Sequence, residues 1–95
     1  MTTQTLDIRH DTDRNRFVQD LDGDAAYVEY RMRDEGTIDL HHTFVPEEHR
    51  HRGIAGAVVG RALEHAREKG LRVVATCPFV RSYLDENPRY SDLTV

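Results

Sequence analysis

The sequence predicts an α+β fold: a mixed but mostly antiparallel sheet with two helices. Three observations carry this reading. Turn signals at Asp22-Gly23 and at 34–36 separate stretches in which apolar side chains alternate. At Gly53 the apolar period changes from two to that of a helix. A short β-branched run at 71–77 then returns the chain to the sheet.

The elements follow in order. "RFVQDLDGD" (16–24) alternates weakly and ends in the first turn. In "AAYVEYRMR" (25–33) Ala26, Val28, Tyr30 and Met32 share one face, opposite Tyr27, Glu29, Arg31 and Arg33. In "TIDLHHTFV" (37–45) strict alternation places Ile38, Leu40, His42 and Phe44 together, opposite Thr37, Asp39, His41, Thr43 and Val45. Pro46 removes a backbone donor and ends regular pairing. After a charged loop (46–52), Ala55, Val58, Val59, Ala62, Leu63 and Ala66 form a helical stripe that Gly70 terminates. The third strand, this helix and the strand at 71–77 form a βαβ unit, so those two strands are expected to be parallel neighbours. Pro78 opens a second helix, "FVRSYLDE" (79–86), and "NPRYSDLTV" reads as a polar tail.

Composition narrows the function. With 95 residues, 38% hydrophobic and 32% charged, the chain is expected to form one domain, 1–95. A net charge of -4 argues against a general nucleic-acid binder. The single cysteine, Cys77, precludes an intrachain disulfide and a cysteine-based zinc site. No apolar run approaches the roughly 18 residues of a membrane span, and "MTTQTLDIRHD" lacks the features of a signal peptide. The expected address is cytoplasmic. His41 and His42 point to opposite faces of a strand, and His49 and His51 lie in a solvated loop, so no metal site is expected.

"RHRGIAGAVVGRAL" (50–63) is the chemical feature. A helix N-terminus offers free N–H groups to an anion. Arg50 and Arg52 add charge, and Gly53 permits close backbone approach. A tight turn with solvated arginines is the alternative. Gly56 and Gly60 each cost roughly 1 kcal/mol against alanine in a helix. They share a face and are expected to let a cofactor or the sheet come close.

Arg50-x-x-Gly53-x-Ala55, after an apolar strand and before an amphipathic helix, resembles the [Q/R]-x-x-G-x-[G/A] motif of the GNAT superfamily. His42-Thr43-Phe44-Val45-Pro46, "EHAREKGLRVVATCPFVRSYL" and Pro88-Arg89-Tyr90-Ser91-Asp92-Leu93 resemble its very short single-domain subgroup in the same order. The likeness spans about residues 24 to 93. It implies a small GNAT-like fold with a splayed parallel strand pair, acetyl-CoA as cosubstrate, and transfer of its acetyl group to an amine. The pantetheine arm would pair with the strand end at Thr43 and Val45. The pyrophosphate would lie on Arg50, His51, Arg52, Gly53, Ile54, Ala55 and Gly56, with Cys77 and Phe79 beside the arm.

The resemblance also suggests catalytic candidates. The subgroup commonly carries an acid after the His-Thr pair, where this chain has Phe44. His42 is then the nearest base, or a strand histidine that packs. Cys77 is a candidate to take the acetyl group or to line the pocket. Tyr83 is an acid candidate or a core residue; Tyr90 anchors the tail or serves as an acid. Asn87 reaches the cofactor or ends the helix. A non-catalytic acyl-CoA-binding module or sensor is the competing expectation. The expected acceptor is an amine of a small molecule or a protein. A monomer or weak homodimer is expected.

Overall fold

The structure is a computed structural model that describes residues 7–50 and 52–94. Alternation and turn chemistry produce the two strands on either side of Asp22-Gly23, and one strand precedes them. The order is β1 (Ile8–Asp11), β2 (Arg16–Leu21), β3 (Asp24–Asp34), β4 (Thr37–Phe44), α1 (Ile54–Lys69), β5 (Arg72–Ala75) and α2 (Pro78–Glu86). Short 3₁₀ turns occupy Glu47–His49 and Pro88–Leu93. The five strands lie in sequence order, antiparallel except for the parallel β4–β5 pair. The fold is the expected mixed sheet with two helices.

One face of the sheet carries the core. Phe17, Val28, Tyr30, Ile38, Leu40 and Val73 meet Val58, Val59, Ala62, Leu63 and Ala66 of α1 and Val80 of α2 in one buried cluster. Each fully buried aliphatic chain contributes about 1.5–3 kcal/mol relative to exposure. The helical stripe differs from expectation at its start. Ile54 is buried, whereas Ala55 is half-buried and faces a cleft. Gly70 adopts φ 68° and closes α1 with Leu71 N–H on the Ala66 carbonyl at 2.8 Å.

Strict alternation fails at one place in β4. Tyr30 pairs with Leu40, but Glu29 pairs with His42. His41 is therefore an extra residue, a β-bulge, and the strand reverses its facing there. Ile38 and Leu40 face the helices. Beyond the bulge Thr43, opposite Val28, takes that side, while His42 and Phe44 turn to the outer face with Glu29 and Tyr27. The single-face grouping of Ile38, Leu40, His42 and Phe44 is thus corrected.

Three smaller corrections follow from packing. Met32 is 44% exposed, because the far end of β3 runs out past the buried cluster. The fifth strand stops at Ala75 because both Thr76 and Cys77 donate to the Leu40 carbonyl, each at 3.2 Å, and the chain then turns into α2. The polar tail is anchored: Tyr90 and Leu93 are buried, and Thr94 forms a bridge with Val73.

Candidate functional site

β4 and β5 pair only from Thr37–Arg72 to Leu40–Ala75. Past Leu40, β4 continues to Phe44 with β3 as its only strand partner among the described residues, while β5 ends. Among the described residues no strand therefore pairs with the edge of β4 that faces β5 between the bulge and the strand end. An unpaired strand edge is a template for an extended ligand with amide groups.

The chain next closes a tight loop. Arg50 Nε donates to the Val45 carbonyl at 3.0 Å, and Arg52 Nη1 lies 3.1 Å from His49 Nδ1. Gly53 then takes φ 77°, a left-handed conformation that side chains disfavour, and starts α1. The helix has no side-chain cap and no acidic residue in its first turn. Its first internal bond runs from Ala57 N–H to the Gly53 carbonyl at 3.1 Å. The preceding amides of the turn have no intrahelical acceptor. They carry the positive end of the helix dipole.

These features border one cleft of about 450 Å³. Its walls include Thr43, Val45, Arg50, Gly53, Ile54, Ala55, Gly56 and Phe79, all expected to hold the cosubstrate. Phe44 and His49 complete it; neither was among the expected contacts, and His49 carried only a loop signal. Arg52 is exposed and stands outside the wall, turned to His49. His51 lies outside the described residues.

Cys77 sits behind the wall, 6% exposed. Its Sγ lies 3.5 Å from Thr43 Oγ1, so Thr43 links the thiol to the cleft. Burial pushes the Cys77 thiol up. The Thr43 hydroxyl and backbone bonds with Val80, Phe79 and Thr43 outweigh this and leave it below its ordinary value.

The remaining candidates are placed elsewhere. His42 is exposed on the outer face, 6.2 Å from the Tyr27 ring, across the sheet from Cys77. Tyr83 lies across α1. A Cβ at Gly56 would stand 3.2 Å from Tyr83 Cε2, and one at Gly60 would stand 2.9 Å from Tyr83 Oη. The glycine pair therefore makes room for the Tyr83 ring, and the expectation of a cofactor or the sheet there is corrected. The Tyr83 hydroxyl points along α1 toward Gly60 and is not part of the cleft wall. Tyr90 stacks on Tyr83 at 6.4 Å and donates to Glu64 Oε2 at 2.6 Å. Asn87 ends α2 by donating to the Tyr83 carbonyl at 2.8 Å. Among the described residues no group of three or more metal-ligating side chains converges. No helix of the described residues is long and apolar enough to cross a membrane.

A parallel strand pair that opens next to an uncapped, glycine-led helix defines a class, and comparison with known proteins agrees. The family model of the GCN5-related N-acetyl-transferases matches residues 16–93, and the chain belongs to that family. Protein NATD1 of Homo sapiens is 36% identical over 83 residues, covering 85% of this chain and 74% of that protein. Protein NATD1 of Gallus gallus is 35% identical over 85 residues, covering 87% and 77%. A GCN5-like protein from Staphylococcus aureus, solved in solution by NMR, superposes with a TM-score of 0.76 at 29% identity, covering 98% of this chain and 91% of that one.

Proposed function

We propose that the chain binds acetyl-CoA in the cleft and transfers its acetyl group to a primary amine. The observation that carries this reading is the uncapped N-terminus of α1 opening onto a cleft that runs into the unpaired edge of β4. A pyrophosphate suits the free amides of the α1 turn with Arg50 alongside. A pantetheine arm, which carries two amides, suits the β4 edge beyond the bulge. Acetyl-CoA supplies the activated thioester.

The residues of this chain then act as follows. The amine nitrogen attacks the thioester carbonyl; the C–N bond forms and the C–S bond breaks. His42, on the outer face of the same strand, takes the proton from nitrogen. Through solvent that proton ends on the departing sulfur, so amine and acetyl thioester give amide and free thiol. The Thr43–Cys77 pair borders the path of that sulfur. A second reading, a binding module without turnover, is favoured by Phe44, which brings no carboxyl to the end of β4.

Calorimetry tests the binding step. Ala55→Glu places a carboxylate in the cleft wall at the positive helix end, where the pyrophosphate is to lie. Affinity for acetyl-CoA is expected to fall at least tenfold with the thermal midpoint retained. Unchanged affinity defeats the reading. Thiol release with an amine panel then separates the enzyme from the module.

A further inference from the structure

The helix side of the β4 end is occupied. Thr43 packs toward Cys77, and α2 begins immediately behind it. An acceptor must therefore reach the β4 edge from the outer face, where no helix lies among the described residues. At that height the outer face carries a row of side chains across three strands. His42 of β4 pairs with Glu29 of β3, and Glu29 pairs with Arg16 of β2. Neighbouring strands lie about 4.8 Å apart, so the row begins at the proposed cosubstrate edge and reaches Arg16 two strands away, where Asp11 of β1 pairs with Arg16 on its far side.

The row is ordered by charge and floored by aromatic rings. Tyr27 stands 5.5 Å from Phe44 and 6.2 Å from His42. The Arg16 guanidinium lies 4.2 Å over the Tyr27 ring. Its Nη1 is 3.9 Å from Glu29 Oε2, beyond hydrogen-bond distance. Arg16 Nε is shielded from solvent and makes no hydrogen bond among the described residues. Stacking on Tyr27 and the charge of Glu29 thus hold the Arg16 guanidinium in the row. The adjacent acid and base offer an ammonium group a place at Glu29 and His42.

From this we infer that the acceptor is a free α-amino acid, bound on the outer face with its amine between His42 and Glu29 and its carboxylate on Arg16. The inference rests on the acetyl-transfer reading above. The spacing fits: amine and carboxylate of an α-amino acid are separated by one carbon, as Glu29 and Arg16 are adjacent in the row. Arg16 offers a planar fork that matches a carboxylate. The side chain of the ligand would cover Tyr27 and Phe44, which favours an apolar or aromatic one. The transfer forms the amide C–N bond at the α-nitrogen, releases free coenzyme thiol, and moves the proton through His42 as above. Arg16 is a specificity residue here, since it touches the acceptor and not the reacting atoms.

The test compares L-phenylalanine with L-phenylalaninamide, which keeps the size and removes the carboxylate charge. Thiol release is followed for both at saturating acetyl-CoA. The protein is expected to prefer the acid in kcat/KM by about 10- to 100-fold, the range of a charged hydrogen-bonded contact. Arg16→Gln is expected to bring that ratio close to one, mainly through KM for the acid, and Arg16→Lys to leave it intermediate. A purely structural role for Arg16 would lower both substrates and leave the ratio in place. Equal use of acid and amide by the parent overturns the inference, and so does turnover of neither while another amine of the panel releases thiol; acetyl-CoA bound with no amine turned over instead defeats the acetyl-transfer reading. Failure to bind acetyl-CoA instead defeats the underlying reading.

Discussion

Gly60→Ala should fail to stabilise the protein, although it replaces a poor helix former by the best one. Glycine in a helix interior costs roughly 1 kcal/mol against alanine, so the substitution starts with that gain. The new Cβ, however, would stand 2.9 Å from Tyr83 Oη, closer than real Cβ contacts. Forcing extra volume into a packed contact costs typically 1–3 kcal/mol. The net effect is between neutral and about 2 kcal/mol unfavourable. Tyr83→Phe removes the offending oxygen, and the next atom, Cζ, lies at an ordinary 3.8 Å. In that background the helix gain should emerge. Gly60→Ala should then raise the thermal midpoint by roughly 4–8 °C per kcal/mol, the scale for a domain of this size. The assay is thermal unfolding of the parent, both single variants and the double variant, read as a cycle. A coupling of about 1 kcal/mol or more is expected. If Gly60→Ala stabilises equally in both backgrounds, Tyr83 does not lie across Gly60 and the account of the glycine pair is wrong.

Two further outcomes follow from the same structure. Gly53 has open space around its Cβ direction but a φ of 77°, so Gly53→Ala should cost about 1–2 kcal/mol through the backbone alone; Gly53→Asn, which tolerates that region, should cost less, and equal unfolding midpoints for the two would contradict this. His10 and His65 form a half-buried pair, 4.7 Å apart, against Phe17 and Tyr30. Burial, then their mutual proximity for His10 and the Arg61 charge for both, hold them below the usual histidine value. Lys69 adds to this at His65, while Asp11 opposes it at His10 and Glu68 opposes it at His65. A lowered histidine binds fewer protons folded than unfolded, so stability is present above about pH 6.5 and is lost as pH falls below it. The midpoint should drop between pH 7.5 and 5.5, and His65→Gln should flatten that drop; a parent curve flat over this window would contradict the assignment. Asp39, whose carboxyl burial raises but Thr76, Arg33 and Arg31 lower further, belongs to a separate, more acidic window.

The cleft proposed for the cosubstrate was legible because it is local. Backbone amides, a left-handed glycine and a helix start lie within a few residues, and sequence pattern reports such features directly. The long helix and the central strands were legible for the same reason: their periods are written in Val28, Tyr30, Val58, Val59 and Leu63. β1 was not, since "IRHD" carries one aliphatic residue, Ile8, and its other contact with the core is His10 stacked on Phe17 at 4.2 Å. The bulge at His41 was hidden because "LHHTF" alternates acceptably in either register, and only pairing with Glu29 and Tyr30 reveals the slip. That slip moved His42 to the outer face and made the row with Glu29 and Arg16. The spacing of Gly56 and Gly60 announced a groove but could not name Tyr83, which reaches it from another helix.

The most direct test of the account is a titration of isotope-labelled protein with acetyl-CoA, followed by amide chemical shifts. The largest changes are expected at the amides of Gly53 to Gly56 and along His41 to Val45, the two walls that meet in the cleft. Changes confined to other surfaces, or none at saturating acetyl-CoA, would contradict the claim that the uncapped helix and the open strand edge form one cosubstrate site.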